Sequence, residues 1–239
     1  MKILLTNDDG VRAEGINLLF DILSPYYDVY IVAPLKPRNA ISHAITLKNK
    51  IKVKKIGKRV YGVDGTPTDA VTVAFYDIVG KPDLLISGIN AGPNLGEDVT
   101  YSGTVGAAME GTILGIKSCA MSYTEFDAKE MLIPRDFILE FVKKYLKMGL
   151  PEGVFLNVNI PPEPKGIKIT RLGNREYQDV LRKVGRNCYE IRGVPVHQKE
   201  KGTDIEAIME GYISITPLKI DLTAEEMINK LKDLKEINF

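Results

Sequence analysis

Tryptophan is absent from this chain of 239 residues, and cysteine and histidine occur only twice each. The two histidines, His43 and His197, do not form a pair at metal spacing, and there is no Cys-x-x-Cys. That excludes the usual soft-ligand zinc clusters. Cys119 and Cys188 read as free thiols of a reducing compartment. No window approaches the ~18 apolar residues that a membrane span requires. The amino terminus enters a strand at once, without a secretory pattern, so a cytoplasmic protein is expected. The formal net charge is only +1, which gives no global field toward nucleic-acid polymers or acidic membranes. The basic stretches Lys48–Lys58 and Arg171–Arg192 read as solvated strand faces. Neither a Gly-x-Ser-x-Gly elbow nor a phosphate-binding Gly-x-x-x-x-Gly-Lys-Ser/Thr loop occurs. Internal repeats and low-complexity segments are also missing.

What is present begins with the first ten residues, Met-Lys-Ile-Leu-Leu-Thr-Asn-Asp-Asp-Gly. The apolar run Ile3–Leu5 predicts a buried strand that stops at Asn7 and presents Asp8 and Asp9 at its carboxyl end. Ligands of open α/β sheets bind in the crevice at that end. Two adjacent carboxylates resist burial unless a cation or hydrogen bonds offset them. The same four residues, Asn7 to Gly10, also fit a plain turn.

Periodicity predicts helices over 15–23, 105–114 and 136–148, and buried strands over 29–33, 84–86, 119–121 and 154–160. Thr66-Pro67-Thr68-Asp69 reads as a capping box that opens a further helix. Residues 46–63 read as a basic hairpin. Strands alternating with helices imply an α/β fold, a mostly parallel sheet with helices on both faces. After Pro164 the texture changes. A basic hairpin over 167–192, a strand over 212–216 and a terminal helix follow. That helix is expected to open with a Thr223–Glu226 capping box and to carry Met227, Ile228, Leu231 and Leu234 on one stripe. The expected division is a catalytic core over 1–164 and an extension over 165–239 that packs on a partner subunit, with a return of part of it to the core as the alternative.

Three predicted strand ends carry oxygen donors: Asp8 and Asp9, then Asn39 and Ser42, then Asn90. These are hard ligands, suited to Mg²⁺ or Mn²⁺. Ser102-Gly103-Thr104 precedes a helix, where free backbone N–H groups and two hydroxyls favour a phosphate. An ordinary cap explains that tripeptide equally well. His43 lies near the proposed site, although a packing role accounts for it too. Asn94, in the Gly88–Gly96 loop, is a further accessory candidate.

Leu4-Leu5-Thr6-Asn7-Asp8-Asp9-Gly10, Val32-Ala33-Pro34, Gly65-Thr66-Pro67-Thr68-Asp69, Ser87 through Gly96 and Tyr101-Ser102-Gly103-Thr104-Val105, in that order, resemble the SurE survival-protein family. The resemblance implies a Rossmann-like core, dimers or tetramers that exchange carboxyl-terminal segments, and a divalent-metal-dependent phosphatase of nucleoside 5′-monophosphates. Some members act on 3′-monophosphates and polyphosphate. It also implies one Mg²⁺ or Mn²⁺ per subunit held by Asp8, Asp9, Asn39 and Asn90, and phosphate held by Ser102, Gly103 and Thr104. The position of Asn39 is usually Ser in the family, and Ser42 is close enough in sequence to substitute. The expected chemistry is attack of a metal-positioned water, with Asp8 or Asp9 accepting its proton. The rival class is a non-catalytic nucleotide-binding or sensor module that uses the same crevice.

Overall fold

The structure is a computed structural model that describes all residues except 127–130, 179, 198, 233–234, 236 and 238–239. In chain order the first elements are β1 (Lys2–Thr6), α1 (Glu14–Leu23), β2 (Asp28–Pro34), β3 (Val53–Gly57), β4 (Val60–Val63) and α2 (Pro67–Val73). There follow β5 (Leu84–Ala91), α3 (Gly103–Ile113), β6 (Ser118–Tyr123), α4 (Arg135–Lys147) and β7 (Val154–Ile160). The remainder holds β8 (Ile167–Ile169), β9 (Arg175–Gln178), β10 (Leu181–Gly185), β11 (Cys188–Ile191) and β12 (Val194–His197). Last come α5 (Asp204–Met209), β13 (Ile213–Lys219) and α6 (Glu225–Ile228).

Nine strands form one sheet in the order β3-β4-β2-β1-β5-β6-β7-β13-β8. The six strands from β4 to β7 run parallel. β3 and β13 are antiparallel to their inner neighbours. Alternation along each central strand feeds two cores. Ile3, Leu5, Ile86, Met121 and Val158 face α1 and α4, while Leu4, Leu85, Ala120 and Phe155 face α2 and α3. Both faces are dry, which explains why the strands read as unbroken apolar runs.

The Thr66–Asp69 capping box forms as its spacing predicts. Thr66 Oγ1 accepts the Asp69 N–H at 3.0 Å, and Asp69 Oδ2 accepts the Thr66 N–H at 2.8 Å. The second predicted box does not form. α6 is a single turn capped at Ala224 without a side-chain bond. The Thr223 N–H is drawn instead to Asp221 Oδ1 at 2.9 Å. Met227, Ile228 and Leu231 stay exposed, so the apolar stripe gains no packing within one chain to extend the helix. Leu234 lies outside the described residues.

Residues 46–52 are not strand, and the hairpin is confined to β3 and β4. The basic stretch after Pro164 divides. β8 joins the main sheet beside β13, while β9–β12 and β10–β11 make two separate antiparallel ladders. Cys119 is buried and Cys188 exposed, and both are free. No described helix is long and apolar enough to cross a membrane.

Candidate active site

β1 ends in a turn that its own asparagine closes. The buried Asn7 carboxamide donates to the Gly10 carbonyl and accepts the Gly10 N–H, both at 3.0 Å. Neighbouring chain clamps the turn further, through Arg38 N–H to the Asp8 carbonyl at 2.7 Å and Val11 N–H to the Pro34 carbonyl at 2.8 Å. Asp8 and Asp9 are thereby fixed by backbone bonds.

Asp8 is 5% exposed. The amino end of α3 lies directly on it: a Cβ added to Gly103 would sit 2.9 Å from the Asp8 Cβ, so only glycine permits the approach. Thr104 Oγ1 donates to Asp8 Oδ1. Burial is the largest influence on the Asp8 carboxyl and pushes it up to about 6; the Thr104 hydrogen bond pulls the other way, and the Asp9 charge adds to the rise. Burial also raises Asp9, whose Oδ2 accepts the Ala91 N–H at 3.4 Å.

Asn90 is the penultimate residue of β5, beyond a register shift between Ser87 and Asn90. Its Nδ2 donates to the Gly92 carbonyl at 2.8 Å, and no described residue donates to its Oδ1. Asp8, Asp9, Asn39, Asn90, Asn94, Asp98 and Ser102 line one cavity of about 290 Å³, with Tyr101 and Phe126 among its other walls. Among the described residues no lysine, arginine or histidine lines it.

Not every candidate faces this cavity. Ser42 Oγ donates to the Thr100 carbonyl at 2.7 Å. His43 Nε2 meets Glu110 Oε2 at 2.8 Å, and Thr72 Oγ1 bonds the other oxygen of Glu110 at 3.2 Å. Both Ser42 and His43 line a second cavity of about 800 Å³, and Ser102 borders the two. Ser102 Oγ accepts the Val105 N–H at 3.1 Å and so caps α3. The Thr104 hydroxyl, expected to face a phosphate, is given to Asp8. Asn94 is held from several sides: its N–H donates to Asn159 Oδ1, its Nδ2 to Ser122 Oγ, and its carbonyl accepts from Asn157 and Asn159.

Several contributors escaped the sequence reading. Arg175, 6% exposed, pairs with Asp98 at 2.5 Å, and the Tyr177 hydroxyl donates to the same carboxylate. The buried Asp204 carboxylate accepts the Gly96 N–H at 2.9 Å and the Gly173 N–H at 2.8 Å. The loop after β5 is thus pinned to chain lying 79 to 108 residues away, through Tyr177 and Asp204. One signal was available: Asn157 and Asn159 sit two apart in an otherwise apolar strand and so face the same side.

The donor chemistry fits a hard cation. Among the described residues no group of three or more His, Cys, Asp or Glu side chains is gathered to hold a metal. Any cation here must rest on two carboxylates with amide oxygens, a set suited to Mg²⁺ or Mn²⁺. Asp98 is offset by Arg175, whereas no cationic side chain among the described residues shares the cavity with Asp8 and Asp9.

Comparison with known proteins agrees. The family described as Survival protein SurE matches residues 3–179. A protein of Geotalea daltonii named 5′-nucleotidase SurE is 42% identical, over 97% of this chain and 98% of its own. One of the same name from Archaeoglobus fulgidus is 44% identical, over 94% and 93%. The crystal structure of the SurE protein from Aquifex aeolicus superposes with a TM-score of 0.89 at 42% identity, covering 99% of this chain and all of that one. With the matched segments spanning both the carboxylate turn and the cap of α3, this chain belongs to the SurE survival-protein family.

Proposed function

We propose that the chain is a divalent-cation-dependent phosphomonoesterase that hydrolyses nucleoside 5′-monophosphates. One observation carries the reading: adjacent carboxylates, one buried, share a cavity with three asparagines and the amino end of α3, and no cationic side chain among the described residues lines it. Relatives named 5′-nucleotidase support the substrate class. Asp8, Asp9, Asn39 and Asn90 would hold one Mg²⁺ or Mn²⁺. When bound, the cation supplies charge neutralisation for the phosphoryl oxygens.

The chain's own residues do the rest. Ser102 and the first N–H groups of α3 donate to phosphoryl oxygens, aided by the positive end of the helix. Thr104 fixes the orientation of Asp8. Asp9, bonded among the described residues only through a long contact to Ala91, takes the proton of the attacking water. The P–O ester bond breaks as the new P–O bond to water forms, and the leaving oxygen takes up the proton that Asp9 received, so the nucleoside leaves as an alcohol and inorganic phosphate remains. Action on 3′-monophosphates and polyphosphate belongs to the same proposal. So do a cytoplasmic location and homodimers or homotetramers built through residues 165–239, where Leu222, Met227 and Ile228 are exposed among the described residues.

The test is phosphate release from a panel of 5′- and 3′-monophosphates with Mg²⁺ or Mn²⁺. Release that EDTA and Asp8→Asn both abolish supports the proposal. Nucleotide binding without release under every cation would leave a sensor module instead.

A further inference from the structure

We propose that Phe126, with Tyr101, forms an aromatic platform at the cavity mouth on which the substrate's base stacks; the inference rests on the nucleotidase reading. A cavity of about 290 Å³ lies at the small end of ligand sites, which run from about 300 to 1,000 Å³. With the phosphoryl group at the carboxylates and the amino end of α3, the base at the far end of the nucleotide reaches toward the rim. Two aromatic rings line the rim, and both face solvent: Phe126 is 79% exposed and Tyr101 65%. Such exposure is costly for phenylalanine unless something covers it.

Phe126 is also placed. Its ring lies on the α-carbon of Gly92, where an added Cβ would sit 2.5 Å from Cε1 and 2.8 Å from Cδ1. Gly92 has a φ of +110°, and its carbonyl accepts the Asn90 carboxamide. One glycine therefore seats the aromatic ring and orients the asparagine at the cavity wall. Tyr101 is held through its backbone, by its N–H to the Asp98 carbonyl at 3.0 Å and its carbonyl to the Ser42 N–H at 2.9 Å. The larger cavity beyond Ser102 offers no equivalent. Among the described residues its walls include Val99, Val105, Met109 and Leu218; its phenyl ring, Phe155, is fully buried, and its imidazole, His43, is engaged by Glu110. Stacking tolerates any base, since each presents a π face. The platform thus selects nucleotides over simple phosphate esters without selecting among bases.

The experiment compares kcat/KM for adenosine 5′-monophosphate with that for ribose 5-phosphate, which lacks the base. In Phe126→Ala the ratio should fall about 5- to 100-fold, the range that one stacked base contributes. Phe126→Trp should restore it, and Tyr101→Ala, on a separate loop, should lower it as well. An unchanged ratio in Phe126→Ala overturns the proposal and points to the larger cavity. A matched loss on both substrates also overturns it, because the ring would then only support the loop. Wild-type protein that hydrolyses neither ester refutes the nucleotidase reading itself, a separate outcome.

Discussion

Thr104 donates its hydroxyl to the buried carboxylate of Asp8, tying the first turn of α3 to the end of β1. The bond stabilises the charged form of Asp8 against burial. Thr104→Val removes the donor, so the carboxyl climbs further and the acidic limb of the kcat/KM profile moves to higher pH. Activity near pH 6 should fall about 10- to 100-fold, corresponding to ~1.5–3 kcal/mol for a hydrogen bond to a charged group. Thr104→Ser should keep the wild-type profile.

Asp8 also sets a pH dependence of stability in the metal-free protein. Its carboxyl ionises near 6 when folded, against an ordinary 3.8. Between those values the folded state binds more protons than the unfolded chain, so stability falls as pH rises and levels off above about 6. The full cost is about 3 kcal/mol. In EDTA at neutral pH, urea unfolding of Asp8→Asn should show a protein more stable than wild type, and the advantage should vanish near pH 4. Saturating Mn²⁺ should reverse the order.

Asn39 lines the cavity at the position where the family resemblance leads one to expect serine. Both side chains offer a neutral oxygen. Asn39→Ser should hold Mn²⁺ within about tenfold of wild type, whereas Asn39→Leu should weaken it by much more, since it leaves no donor. Titration followed by electron paramagnetic resonance of free Mn²⁺ reads both.

Asp204 bonds two backbone N–H groups from distant segments in a buried setting. Asp204→Ala leaves both without an acceptor and should cost about 2–5 kcal/mol in chemical denaturation. Asp204→Asn keeps one acceptor oxygen and should cost less.

Much of the site was legible because it is local. Asn7 to Gly10 closes on itself, Thr66 to Asp69 caps its own helix, and unbroken apolar runs such as Leu84–Ile86 mark the buried strands. Illegible were the partnerships that only tertiary folding makes. Nothing in the sequence couples Thr104 to Asp8 at a separation of ninety-six residues, or Arg175 to Asp98, or turns Ser42 and His43 toward a different cavity. The terminal helix failed for a related reason. A periodic stripe predicts a face, and the face needs a surface to cover it.

The two amide groups that share Asp204 have a consequence for how far the enzyme can be shortened. Gly96 belongs to the loop beside the carboxylates, while Gly173 and Asp204 lie past residue 164. A fragment truncated at that point would keep every residue named as a ligand yet lose the anchor of the loop between them, together with the Arg175 counter-charge to Asp98. Grafting the chemistry onto another scaffold would require transplanting both halves of the polypeptide.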